Sequence, residues 1–279
     1  MKSNHEKYLL LLKAMISLNI LFFVVSLVLS GKNLHLSINP FTALSPSTNV
    51  LISLGAAGKA AVNSYIGQLG TDYSISQFDK DSIRQFVTTY WWVLTLVTSN
   101  WLHGSLLHIV FNMIALFQIG SLISAIYGFD RMFIIYTLSG IAGFYLSLVV
   151  GISVTIGASA AICGLLGAGF YFGRAQKNSL AGRAVSKMAS GWILSLVIFG
   201  VAIPNINNWG HGGGFAAGIL IGWLLGYNKI EYSSVEAGYE QVEYIKKIEE
   251  SDFNTLLSSI LMLITIFCLI FPFVLLFLF

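Results

Sequence analysis

Long apolar runs separated by short polar stretches dominate the chain. Seven of them, at about 8–30, 104–127, 131–152, 158–173, 187–204, 209–227 and 254–278, are long enough, or nearly so, to cross a bilayer as helix. A hydrocarbon core of about 30 Å takes about 20 helical residues. The pattern therefore predicts an all-α, polytopic membrane helix bundle. The fourth and fifth runs are short, which lipid tolerates where neighbouring helices bury the segment. The first run has a basic start (Lys2, Lys7, Lys13) and a small-residue tail, as a signal peptide has. It is longer than the roughly 7–15 residues of a signal h-region, so a retained span is expected.

Composition agrees with this reading. Of 279 residues, 56% are hydrophobic and 10% charged, against about 25% charged in soluble domains. Mean hydropathy is +0.79. A net charge of +3 is too small to suggest a nucleic-acid partner. With the N-terminus in the cytoplasm, four of the 15 Lys and Arg residues (Lys32, Lys59, Lys80 and Arg84) fall outside and the other 11 inside. That asymmetry follows the positive-inside rule, and it puts the C-terminus outside. In a bacterium the membrane would be the cell membrane. Nothing in the pattern sets an oligomeric state. Cys163 and Cys268 lie in apolar runs and are too few for a disulfide framework.

The chain then divides into a cytosolic start at 1–7, a six-span core at 8–227, an acidic cytosolic linker at 228–253 and a last span at 254–279. Glu231, Glu236, Glu240, Glu243, Glu249 and Glu250 make the linker read as a solvated loop. Within the core, 31–90 is a long outer loop broken by Gly55, Gly58, Gly67 and Gly70. Asn49 to Ile66 is predicted to lie amphipathically in the headgroup region. Trp91, Trp92 and Trp101 fit an interfacial aromatic belt.

Polar groups inside apolar spans are costly and usually functional. No Asp or Glu lies within any span; Asp130 sits at a junction with Arg131. An aspartyl protease needs two such carboxylates, a His-Glu-x-x-His zinc protease needs one, and proton-coupled carriers usually place one at depth. A metal centre of His103, His108 and His211 lacks the usual carboxylate or Cys support. What remains is His108 and Asn112 on one face of the second span, Ser159 opening the fourth and His211 opening the sixth. Gly157 suits a sharp turn before Ser159. At about 1.5 Å per residue, Ser159, Asn112 and His211 all lie roughly 22–24 Å above the inner ends of their spans. Small residues recur every fourth position at Ala160, Gly164 and Ala168, and again from Gly210 through Gly214, Gly218 and Gly222 to Gly226. Such stripes let helices approach closely in lipid. If the two face each other, Ser159 meets His211.

Three runs carry a family resemblance. Trp101-Leu-His103-Gly-Ser-Leu-Leu-His108-Ile-Val-Phe-Asn112, Gly157-Ala158-Ser159, and Asn208-Trp209-Gly210-His211-Gly212-Gly213-Gly214 with Gly218 resemble the second-, fourth- and sixth-helix motifs of the rhomboid family. The resemblance implies a six-helix rhomboid core, with the last span as the extra C-terminal helix of its "six plus one" members. It implies an intramembrane serine endopeptidase with a Ser-His dyad. Ser159 would be the nucleophile and His211 the base, with His108 and Asn112 at the oxyanion and His103 bracing the outer loop. The family needs no third carboxylate, cofactor or metal. Expected substrates are single-span membrane proteins with a small residue before the scissile bond. The fifth span and the turn from Ala202 to Asn207 would be the gate. Ala160 stands where the family usually has Gly, Cys163 stands where some members have an aromatic ring, and Leu94-Thr95 stand where a Trp-Arg pair is common. Two rivals are an inactive rhomboid-like protein that binds transmembrane helices and a small-solute carrier.

Overall fold

A computed structural model describes residues 2–59, 92–203, 206–234, 241–246 and 251–278. Most of the outer loop, with Lys80, Arg84 and Trp91, lies outside the described residues, as do Pro204 and Asn205 of the turn. The main helices are α1 (Lys2–Ser30), α2 (Thr48–Ser53), α3 (Trp92–Thr98), α4 (Leu106–Tyr127), α5 (Phe129–Val149), α6 (Ser159–Ala175), α7 (Leu180–Ala202), α8 (Asn208–Leu225) and α9 (Asp252–Leu278). Five of them, α1, α4, α5, α7 and α9, are long and apolar enough to cross a membrane. The bundle is a multi-pass integral membrane fold.

Local chemistry fixes the helix ends. Ser105 caps α4, its hydroxyl accepting the His108 N–H at 3.3 Å. Ser179 caps α7 through the Gly182 N–H at 2.9 Å. Gly128, at φ +84°, ends α4 and begins α5. Such side-chain acceptors satisfy first-turn donors that have no partner inside the helix.

The short helix α6 is the centre of the bundle. It has 17 residues, about 25 Å of rise, and residues 160–169 are all buried. Side-chain volume is removed wherever its neighbours touch it. A Cβ at Gly214 would strike the Ala160 carbonyl, one at Gly218 the Gly164 carbonyl, and one at Gly222 would lie 2.9 Å from Ala168 Cβ. The two small-residue stripes do face each other, at backbone contact. On the other flank a Cβ at Gly164 would strike Ser139 of α5. Dispersion over a continuous backbone interface, rather than large side chains, holds these helices together.

α7 is different. Its buried residues are Gly182, Val185 and Ala189, all in its first half. Leu194, Val197, Ile198 and Val201 of the second half are exposed. The helix is fixed at one end and loosely held at the other.

Three sequence expectations change. The stretch from Asn49 does not lie flat along the headgroups in its described part. Only Thr48–Ser53 is helical, Gly55 turns the chain at φ +99°, and Leu51, Ile52, Leu54, Ala56 and Ala57 are buried. The reason is polar: Ser99 Oγ takes the Ala57 N–H at 2.7 Å, pulling the segment against α3. Trp101 is buried edge-on against Tyr136 at 5.9 Å rather than standing in a belt. The linker expected as a solvated loop forms an antiparallel hairpin, Lys229–Ser234 with Gln241–Lys246, paired from Lys229↔Lys246 to Ser234↔Gln241. Ile230 and Tyr232, then Val242 and Tyr244, supply the two-residue alternation a strand needs.

Candidate active site

Ser159 is the first residue of α6. Gly157 makes the turn that delivers it. Its φ is +117°, and a Cβ there would lie 2.5 Å from His108 Nε2. Glycine alone combines that backbone with that approach. The Gly157 N–H donates to the Ser99 carbonyl at 2.8 Å, and the Thr155 N–H to the Ala57 carbonyl at 2.7 Å. The serine-bearing loop is thus stitched to the turn that follows α3 and to the segment after α2.

His211 stands one turn into α8. Its N–H closes on the Asn207 carbonyl at 3.1 Å, and its Nε2 lies 2.8 Å from Ser159 Oγ. With the ring proton on Nδ1, Nε2 accepts from the serine hydroxyl, the geometry a general base requires.

His108 and Asn112 flank this pair from α4. The Gly104 N–H donates to His108 Nδ1 at 3.3 Å. That bond selects the neutral tautomer with its proton on Nε2, the atom beside Gly157. One Asn112 amide hydrogen is spent on the His108 carbonyl at 2.8 Å, and the other is left for the cavity that Asn112 lines. The first N–H groups of α6, Ser159 among them, have no partner within the helix. His108, Asn112 and Ser159 line one cavity. His103 is buried, its ring edge-on to His108 at 5.1 Å.

A cavity of about 440 Å³ opens over the pair, lined by Phe111, Ala115, Ile162, Trp192 and Leu196 as well as by Ser159 and His211. Mostly apolar walls with a few convergent polar groups are usual for a binding site. Phe41, Thr42 and Ser45 of the outer loop also line it, and the Leu106 N–H anchors that loop on the Ala43 carbonyl at 3.1 Å. The described part of the outer loop is therefore a wall of the cavity.

The family model for the rhomboid domain matches residues 88–228. The chain belongs to the rhomboid family. RHOMBOID-like protein 4 of Arabidopsis thaliana is 33% identical over 131 residues, 47% of this chain and 33% of that protein. Rhomboid protease GluP of Bacillus subtilis is 34% identical over 142 residues, 50% of this chain and 27% of that protein. Putative rhomboid protease YdcA of Bacillus subtilis is 31% identical over 141 residues, 48% of this chain and 67% of that protein. The matched part of this chain thus spans about a third of the length of the first two relatives.

The rhomboid motif residues Ser159, His211, His108 and Asn112 line one cavity, with Gly157 against His108 and Gly214 against Ala160; a shared depth was expected of Ser159, Asn112 and His211. Ser99, Thr155 and Asn207 were not legible as part of the site. Their hydroxyl and amide groups act across distant segments, and no local spacing marks them. Ala160, the departure from the usual rhomboid Gly, is buried with its methyl in a cluster with Leu96 and Phe144. Ala160→Gly should therefore lower stability by roughly 1–2 kcal/mol, which thermal unfolding checks.

Proposed function

We propose that this rhomboid protein is an intramembrane serine endopeptidase acting on single-span membrane proteins. The observation that carries the reading is the 2.8 Å approach of Ser159 Oγ to His211 Nε2 across two helices of an apolar bundle. The name of GluP as a rhomboid protease adds support.

In this reading Ser159 Oγ attacks the scissile carbonyl as His211 Nε2 takes its proton. The Ser159 N–H, His108 Nε2–H and Asn112 amide receive the oxyanion; losing one such donor typically costs on the order of 10²- to 10³-fold in rate. His211 then protonates the leaving amine, and water hydrolyses the acyl-enzyme. The N-terminus lies in the cytoplasm and the cavity faces the outer aqueous phase. A substrate helix reaches it past the free half of α7, unwinding near the outer face.

Contacts that hold that half of α7 closed include Trp192 and Leu196 against the core, the Phe111 and Phe199 rings at 6.1 Å, and the Asn208 amide on the Gly200 carbonyl at 2.9 Å. One net hydrogen bond is worth about 0.5–1.5 kcal/mol. Asn208→Ala should raise the cleavage rate of a membrane-embedded reporter by about 2- to 10-fold if opening limits turnover. An unchanged rate would mean that opening at this contact does not limit turnover.

The direct test compares wild type with Ser159→Ala on a tagged single-span reporter in membranes, at matched expression. Cleavage by the wild type alone supports the protease. Cleavage by both assigns it elsewhere. Cleavage by neither, with no covalent labelling of Ser159 by a fluorophosphonate, favours an inactive helix-binding protein.

A further inference from the structure

The buried residues of α8 are all glycines, Gly210, Gly214, Gly218 and Gly222, and its nearest large side chain against α6, Phe215 on Phe170, lies a turn beyond His211. A Cβ at Gly210 would meet Ser147 Oγ at 3.1 Å, one at Gly213 would meet Gly143 Cα at 3.2 Å, and one at Gly214 the Ala160 carbonyl. Such a surface allows close contact but offers little to stop the helix sliding or rotating by a fraction of a turn. Near-attack geometry tolerates no such freedom, since a displacement of about 1 Å can cost on the order of 100-fold. Something must fix the register of the turn that bears His211.

Asn207 is placed to do so. As the N-cap of α8 it accepts the Gly210 N–H on Oδ1 at 3.0 Å. Its Nδ2 reaches two hydroxyls at 2.7 Å each: Ser147 Oγ on α5 and Thr155 Oγ1 in the loop before Ser159. Ser147 Oγ is itself oriented, donating to the Gly143 carbonyl at 2.8 Å. Thr155 is paired by its backbone to Ala57. The carboxamide thus uses both donors and its acceptor, and each bond ends on a different element. Four residues on is His211; four residues after Thr155 is Ser159.

We propose that Asn207 is a positioning residue that registers the His211 turn against the Ser159 loop, with Thr155 as its receiving group. The inference rests on the protease reading. A simple cap would do less: serine at 207 still offers an acceptor to the Gly210 N–H, but it is too short to span to both hydroxyls.

The full-length protein is assayed in membranes and in detergent on a single-span reporter, with folded enzyme quantified by monodispersity and thermal unfolding. Asn207→Ser, which keeps the cap and cuts the bridge, should lower kcat by about 10- to 100-fold per folded molecule with KM nearly unchanged. Thr155→Val should lower kcat in the same way, and Thr155→Ser should restore it. A purely structural role would lower the unfolding temperature and the folded fraction, with kcat per folded molecule at the wild-type value; that result overturns the proposal. So does a loss in Asn207→Ser that Thr155→Val does not share. A wild type that neither cleaves the reporter nor labels with a fluorophosphonate defeats the protease reading instead, which keeps the two failures distinct.

Discussion

Replacing His211 by alanine is expected to bring reporter cleavage down to background while the protein still accumulates in the membrane. Loss of the base from a serine nucleophile costs on the order of 10⁴- to 10⁶-fold, because the hydroxyl has no other group to take its proton. The residues around position 211 on α8 that contact α5 and α6 are Gly210, Gly213 and Gly214, so packing does not depend on the imidazole. Cleavage at matched expression, with thermal unfolding alongside, measures both halves. Full activity in His211→Ala would exclude the dyad, whatever the 2.8 Å contact with Ser159 implies.

Gly157→Ala should also be damaging, by another route and to a smaller extent. At φ +117° an L side chain is strained, at a cost of about 1–3 kcal/mol. The new methyl would also lie 2.5 Å from His108 Nε2. The ring must swing away, giving up the Gly104 N–H and its aim at the oxyanion. A fall in kcat of roughly 100- to 1,000-fold follows from losing that donor, with KM little changed because the apolar walls of the cavity remain. Wild-type kcat in this variant would show that His108 takes no part in the reaction.

The fold was legible where physics is local or periodic. Lipid demands long apolar helices, so the seven runs appear as α1, α4, α5, α6, α7, α8 and α9, within about three residues of their expected ends except that α1 and α7 begin six and seven residues earlier. The Ser159–His211 contact was legible because four-residue stripes of Gly and Ala announce which helix faces must touch. Trp101, Asn207 and the segment after α2 were not. Trp101 had the look of a belt residue, but its fate depends on Tyr136, 35 positions away and invisible to any window. Asn207 reads as one polar residue in a turn until Ser147 and Thr155 are seen beside it. The paired strands at 229–234 and 241–246 carried a usable signal in their alternation of Ile, Tyr and Val, obscured by the acidic residues among them.

The continuous burial of residues 160–169 keeps most of α6 out of contact with the surrounding lipid. α1 and α9, with 29 and 27 residues, stand at the periphery, while α6 with 17 is sheathed by protein. A thicker or thinner bilayer is met by tilt of outer helices, not by stretching the inner one. Changes in acyl-chain length or sterol content are thus expected to act first on the outer helices and to leave the Ser159–His211 distance as it is.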